Sequence, residues 1–353
     1  MPQKKKSTKH LLLLRFSAMG DVAMTVPVVR ALAQQYPDIR ITIASRAAYK
    51  PFFDAIQGVN FYEADFTRQH KGIAGLWRLY KGLRALHIYA VVDLHNVLRS
   101  KVITKLFGWR GKKTVATDKM HDARKLLTAE KNKRFEPLPS VVSRHADALA
   151  QLGFPVTLGT DSLLPKLPIS IDILDTVGDK SGQWIGIAPF AQHRSKVYPK
   201  DLMQQVIAGL TVIPGATLFL FGGGKDETRQ LKKFAGENAN IHVIAGGKMT
   251  LKQEIQLISN LDLMLSMDSA NAHMAAMYGV PVVTLWGATH PYAGFAPFNQ
   301  PASNALTSSR EQYPMLPTSA YGNKTVPGYE DVMRTITPEM VIDKIDKVLK
   351  AKG

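Results

Sequence analysis

Residues 10–33 read HLLLLRFSAMGDVAMTVPVVRALA, and the reading of this stretch decides the fold. Leu11, Leu12, Leu13 and Leu14 form an apolar run of the length of a buried strand. A polar, glycine-containing turn follows, Ser17-Ala18-Met19-Gly20-Asp21. A helix is predicted next, with Thr25 as N-cap and Pro27 in the first turn, where its missing N–H costs nothing. Val26, Val29, Ala31, Leu32 and Ala33 make that helix apolar enough to pack on a sheet. Strand, turn and helix in this order open a parallel α/β sheet, with Gly20 and Asp21 in a loop at the strand's carboxyl end. Open α/β sheets bind ligands at that edge. A carboxylate there either accepts a proton from a bound hydroxyl or only braces the turn.

The alternation continues along the chain. Strands are predicted at 39–43, from 59, at 89–93 and at 111–116, with helices at 75–86, 97–107 and 141–152. Residues 120–132 are basic and read as a loop. A second series follows a stretch rich in Pro, Leu and Gly, with strands at 184–188, 217–221, 241–244, 261–266 and 281–285 and helices between them. The expected organisation is a basic disordered tail (1–9), a first domain (10–168), a linker (169–177), a second domain (178–335) and a final helix (336–353). Two successive βα series predict two doubly wound, Rossmann-like domains facing a cleft.

Composition narrows the class. The 353 residues suit two domains, and the absence of cysteine excludes disulfides and thiolate metal sites. The first apolar run is too short for a signal peptide and no run is long enough to span a bilayer, so a cytoplasmic protein is expected. The net charge of +17 is concentrated: residues 68–134 hold 17 Lys/Arg against 4 Asp/Glu. Such a face suits nucleic acid, an anionic membrane or a phosphorylated substrate, unless it is merely solvated.

Three loops of the second series fall at one carboxyl edge. The first holds Ser195 and Lys196 ahead of a helix, a cation placed where phosphate binds well. The second is Gly222-Gly223-Gly224, where a backbone can approach a ligand closely. The third is Asp268-Ser269-Ala270-Asn271-Ala272-His273, a helix start with His273 four residues past Ser269. Taken singly, Ser269 is as well read as an N-cap, His273 as a core histidine and Lys196 as a solvated cation. No HExxH, acidic metal pair or G-x-S-x-G elbow is present. The expectation is a metal-independent, cofactor-free site that handles diphosphate charge with Lys196 and helix dipoles.

Residues 11–32, LLLLRFSAMGDVAMTVPVVRAL, resemble the opening signature of glycosyltransferase family 9, the bacterial lipopolysaccharide heptosyltransferases. SMDSANAHMAAMYGVPVVTLWGATHP at 266–291 resembles the family's C-terminal signature, and VVDLHNVLRS at 91–100 a weaker block. The resemblance implies a GT-B fold whose second domain holds a nucleotide-sugar donor, ADP-heptose in the family. Its first domain would face a phosphorylated, Kdo- or heptose-bearing lipid A core, and its last helix would cross back to the first domain. It implies that Asp21 is the general base of an inverting transfer and that Lys196 contacts the diphosphate and helps the leaving group. Asp268 would contact the donor sugar's hydroxyls. The amides of Ser269 and Ala270 would hold phosphate, with Ser195 and His273 beside them, and Gly222, Gly223 and Gly224 would border the nucleoside. Acceptor contacts are expected from Ser17, Gly20, His95, Asn96, Arg99 and Arg124. Two departures stand out: Ala270 replaces the family's usual Gly, and His95-Asn96 replace Gln-Gly. The basic segment is expected to face the anionic inner surface of the inner membrane, with residues 68–86 as an interfacial helix, rather than nucleic acid. The competing readings are a nucleotide-sugar 2-epimerase of the same fold and a non-catalytic polyanion-binding protein.

Overall fold

A computed structural model of the chain describes residues 9–351. The tail expected at 1–9 lies outside them except for Lys9, whose ammonium sits 5.3 Å from the ring centres of both Tyr89 and Phe154.

The chain begins β1 (His10–Leu14), α1 (Met19–Ala23), α2 (Val26–Gln35), β2 (Arg40–Ser45), β3 (Val59–Glu63) and α3 (Gly72–Arg84). It continues β4 (Ala90–Asp93), α4 (Leu98–Gly108), β5 (Lys113–Ala116), α5 (His121–Leu127) and α6 (Val141–Gln151). The second half runs α7 (Ile171–Val177), β6 (Gln183–Ala188), α8 (Lys200–Thr211), β7 (Ala216–Phe221), α9 (Lys225–Ala235), β8 (Ile241–Ile244) and α10 (Leu251–Ser259). It closes with β9 (Leu263–Met267), α11 (Ala270–Ala276), β10 (Val282–Trp286), β11 (Ala305–Thr307) and α12 (Pro338–Lys350). Contacts divide this into two compact units, Met1–Lys119 with Val141–Leu164, and Met120–Ser140 with Pro165–Gly353.

The first unit is a five-stranded parallel sheet in the order β3-β2-β1-β4-β5. A central parallel strand is covered on both faces, so its sequence reads as a continuous apolar run. That is why four successive leucines, all 0% exposed, sit at the middle of the sheet. Phe16, Leu79, Tyr80, Leu83, Ile103 and Phe107 complete the core on one side. On α3 the apolar residues do not all share a face: Leu79, Tyr80 and Leu83 are buried, whereas Trp77 is 44% exposed.

The turn after β1 corrects the sequence reading. Gly20 and Asp21 are not in a loop but in the short helix α1, which precedes the predicted one. Thr25 does occupy the N-cap position of α2, but its hydroxyl donates to the Val22 carbonyl (2.7 Å) and makes no side-chain cap. The preceding helix supplies that nearer acceptor.

The second unit is a six-stranded parallel sheet, β11-β10-β9-β6-β7-β8. Ile185, Leu218, Leu263, Leu265 and Val283 of its strands pack with Val206 and Leu210 of α8 and with Val341, Ile345 and Leu349 of α12. The last helix, which the family resemblance sends back to the first domain, packs here on α8 and β9 within the second unit. The expected linker 169–177 contains α7, which buries Ile173 and Val177. The expected loop 120–132 contains α5, which buries Arg124 and Leu127 and belongs to the second unit. Its apolar positions were too few to show a helical period. In the turn-rich stretch 300–330, β11 is three residues long, too short to show an alternation.

Truncating Leu13 tests how far β1 anchors the first unit. Leu13→Ala should lower unfolding free energy by about 2–5 kcal/mol, read as a fall in the urea midpoint at unchanged slope.

Candidate active site

The first unit's polar groups collect just past the carboxyl ends of its strands. Arg15, one residue beyond β1, is 7% exposed and held from several sides. Its Nη2 lies 2.6 Å from Asp21 Oδ2, its Nη1 donates to the Leu94 carbonyl (2.8 Å) and its Nε to the Ser17 carbonyl (2.8 Å). Its own carbonyl accepts from the Ser45 hydroxyl (2.5 Å). The guanidinium fork therefore ties the Asp21 helix, the Ser17 turn and the β4 loop together. The Ala18 N–H also donates to Asp21 Oδ2 (3.3 Å). Both contacts fall on one oxygen of a side chain that is 30% exposed, which leaves Oδ1 to accept a proton.

The β4 loop is built on Asp93. Its buried carboxylate accepts from the backbone N–H groups of His95 (3.0 Å) and Asn96 (2.7 Å), and burial pushes it above the usual carboxylate range. The Asn96 amide donates to the Thr117 carbonyl (2.9 Å), and Asn96 has φ +50, a conformation asparagine tolerates well. His95 Nδ1 accepts the Phe16 N–H (3.4 Å). Burial, then Arg15, Lys119 and Arg46, drive the imidazole down to about 3, so it is neutral. Lys119 is also drawn down, first by burial and next by Arg15, against the pull of Asp93 and Asp21. The structure thus brings Ser17, Gly20, Asp21, His95 and Asn96 to one edge and adds Arg15, Arg46 and Lys119, which the sequence reading missed. Arg15 and Arg46 each follow a strand directly, a positional signal that was available. Arg99 is exposed on α4 over the Phe66 ring, 5.1 Å from its centre. Arg124 is 5% exposed and belongs to the second unit, where it bonds the Ala293 carbonyl and the Tyr321 hydroxyl.

In the second unit, Lys196 Nζ lies 2.8 Å from Asp268 Oδ2, with the two side chains 13% and 7% exposed. Lys196 follows β6 and Asp268 follows β9, two adjacent central strands. Thr289, past β10, donates its hydroxyl to the same Asp268 oxygen (3.0 Å). Ser195 does not reach into open space: its hydroxyl donates to the Gly322 carbonyl (2.7 Å), and its carbonyl accepts the Ala288 N–H (3.1 Å). Ser269 stands at the N-cap of α11 without capping it. Its hydroxyl pairs instead with that of Ser266 (3.0 Å), at the end of β9. Ala270 begins α11, and His273 on the same helix is buried. Of the three glycines, Gly222 has Leu231 and Phe190 close by, while a side chain at Gly224 would meet nothing. The Gly223 N–H donates to Glu227 Oε2 (2.6 Å). Open backbone at Gly224 is room for a ligand.

Two parallel α/β sheets, each with candidate site residues past the carboxyl ends of its strands, give the architecture of the GT-B fold. Solved structures share this fold. A glycosyl transferase family 9 protein from Veillonella parvula matches with TM-score 0.74 at 19% identity, covering 97% of this chain and 98% of that one. The E. coli heptosyltransferase WaaC with ADP-2-deoxy-2-fluoro heptose matches with TM-score 0.67 at 20% identity, covering 96% and 99%. The family description "Glycosyltransferase family 9 (heptosyltransferase)" matches residues 76–329, and the chain belongs to that family. Among curated relatives, lipopolysaccharide heptosyltransferase 3 of Escherichia coli is 25% identical over 343 residues, 94% of this chain and 96% of its own. The lipopolysaccharide core heptosyltransferase OpsX of Haemophilus influenzae is 24% identical over 305 residues, 85% and 84% of the two. A putative UDP-N-acetylglucosamine 2-epimerase from Listeria monocytogenes shares the architecture at TM-score 0.55 and 13% identity. Family membership therefore selects the transferase over the epimerase.

His95 gives a pH test. Its folded-state value lies below the unfolded 6.5, so protonation favours the unfolded chain. Stability should fall as pH drops from 6.5 toward about 3, by at most about 1.4 kcal/mol per pH unit from this group. His95→Gln removes that component. The stability difference between wild type and variant, from denaturation at pH 7 and pH 4.5, should shift toward the variant at the lower pH.

Proposed function

We propose that this enzyme transfers a heptose from ADP-heptose to a phosphorylated lipid A core, with inversion at the anomeric carbon, at an anionic membrane surface. The observation that carries the donor half is the Lys196–Asp268 pair at 2.8 Å, at the ends of adjacent strands. An ammonium is a compact point charge that suits a diphosphate oxygen. When the bond from the anomeric carbon to the diphosphate breaks, negative charge develops on the departing oxygen. Lys196 stabilises it there in a site already largely closed to water. Asp268 is then available to accept hydrogen bonds from sugar hydroxyls, with Thr289 holding its Oδ2. Gly224 leaves space for the nucleoside, and the amides at Ser269 and Ala270 lie beside Asp268.

On the acceptor side, the attacking hydroxyl gives its proton to Asp21 Oδ1 as its oxygen bonds to the anomeric carbon. Arg15 and the Ala18 N–H fix the other carboxylate oxygen. Ser17, Gly20, neutral His95 and Asn96 would shape the acceptor's seat, and Arg46 and Lys119 would favour a negatively charged group beside its nucleophile. The chemistry is positioning, one general base and one charge stabiliser.

ADP should bind in preference to UDP, GDP and CMP by calorimetry. Lys196→Ala should weaken that binding and slow transfer. Asp21→Asn should lower the transfer rate by about 10²–10⁴-fold while ADP affinity stays near wild type. Selective UDP binding, or normal turnover in Asp21→Asn, contradicts the reading.

The membrane half rests on α3 and α4, which pack side by side. Their outer surfaces carry Ile73 (89% exposed), Trp77 and Leu98, and Trp109 (80%) follows α4. Between Arg68 and Lys113 there are 11 Lys/Arg, and the single acidic residue, Asp93, is buried. Tryptophan with lysine and arginine suits the boundary between headgroups and acyl chains, each cation adding roughly 1 kcal/mol near an anionic surface. Among the described residues no helix is long and apolar enough to cross a membrane. The protein should co-sediment with phosphatidylglycerol vesicles at low salt, less so at high salt. The double variant Trp77→Ala, Trp109→Ala should lose most of that binding. Equal binding to neutral phosphatidylcholine vesicles would count against the charge argument.

A further inference from the structure

Arg124 lies far in sequence from the donor site, yet its bonds lead to it. Its Nε and Nη2 donate to the Ala293 carbonyl (3.2 and 3.1 Å), and its Nη1 to the Tyr321 hydroxyl (2.8 Å). The guanidinium also covers the Phe295 ring, 4.3 Å from its centre, and the Tyr321 ring at 5.3 Å. A planar fork held by both stacking and hydrogen bonds is a rigid fixture.

Tyr321 is followed by Gly322, which is buried with φ +81. The Gly322 carbonyl accepts the Ser195 hydroxyl (2.7 Å), and its N–H donates to the Ser319 hydroxyl (2.9 Å). A Cβ on Gly322 would run into Cδ and Cγ of Lys196 and lie 3.3 Å from Ser195 Oγ. The turn thus presses bare backbone on the stem of Lys196, whose ammonium pairs with Asp268. The same region meets Asp268 by a second route. The N–H groups of Thr318 and Ser319 both donate to the Ala288 carbonyl (3.0 and 3.1 Å), and the next residue, Thr289, bonds Asp268.

We infer that Arg124 is a positioning residue for the donor site: through the Tyr321-Gly322 turn it fixes the stem of Lys196 and so the place of its ammonium. This assigns to Arg124 a role toward the nucleotide sugar instead of the acceptor contact expected of it as part of the basic segment. It rests on the reading of Lys196 as the diphosphate ligand. The site is consequently set by a segment, 120–140, that precedes the rest of the second unit in the chain.

The test uses Tyr321→Phe, which keeps the ring and removes only the hydroxyl, and Arg124→Lys, which keeps a cation and removes the fork. Each should weaken ADP binding, measured without acceptor, by roughly three- to tenfold, the worth of one hydrogen bond, with the acceptor KM unchanged. In a Lys196→Ala background Tyr321→Phe should cost nothing further, because contacts that act through one residue are not additive. A merely structural role would give the same loss in both backgrounds. An acceptor role for Arg124 would raise acceptor KM and leave ADP affinity alone; either result overturns the inference. Trace acetylation of lysines, read by mass spectrometry, separates this inference from the functional reading. Lys196 should label faster in Tyr321→Phe than in wild type, whether or not ADP binds. Should wild type bind no ADP while Lys196 labelling still rises, the donor assignment fails and the positioning link stands. Unchanged labelling refutes the link.

Discussion

A parallel strand in the middle of a sheet has both faces covered, and this constraint dictates where chemistry can occur. Leu11 to Leu14 are fully buried, and the polar side chains that the strands of the second sheet do carry, such as Ser266 and Thr284, are buried with them. The candidate site residues accordingly collect in the segments past the carboxyl ends of the strands. Arg15 and Asp21 follow β1, Arg46 follows β2, His95 and Asn96 follow β4, and Lys119 follows β5. Lys196, Gly222, Asp268 and Thr289 stand in the same relation to β6, β7, β9 and β10.

The two edges pair a carboxylate with a cation in different ways. Arg15 is fixed by bonds to Ser17, Asp21 and Leu94 at once, and a guanidinium suits such multiple anchoring. It keeps Asp21 oriented. Lys196 makes one ion pair through its ammonium, a compact point charge that suits a carboxylate or a phosphate oxygen. The first pair is one of several bonds that hold Arg15, and the second joins two loops past adjacent strands.

Much of this was legible in the residues. The apolar run of β1, the alternation that follows and the glycines that close helices mark both sheets, because buried parallel strands and their covering helices leave strong periodic patterns. Asp21, Lys196 and Asp268 could be singled out as candidates because each lies beyond the carboxyl end of such a strand. What stayed hidden depends on distance in sequence. Nothing near Thr289 or Gly322 announces that one bonds Asp268 and the other lies against Lys196, since each contact joins loops more than twenty residues apart. Asp21's short helix was hidden for a different reason: five residues are too few to show a period. The helix that carries Arg124 was hidden because a basic, weakly periodic segment looks like solvated loop, whereas its guanidinium stacks on Phe295 and Tyr321.

Residues 120–140 belong by contact to the second unit although they interrupt the first. Synthesis from the N-terminus therefore delivers this piece to the ribosome's exit long before the residues it bonds, Ala293, Pro317 and Tyr321. The first unit's closing helix, α6, emerges next, so the earlier half can condense while its excursion waits without a partner. Only when Ala293 and Tyr321 have been made can Arg124 be sequestered. Severing the gene at the apparent boundary near residue 165 would thus not yield two autonomous halves, because the latter would lack a part encoded within the former. Any ancestor assembled by joining two separate sheet-forming genes must have acquired this exchange afterwards.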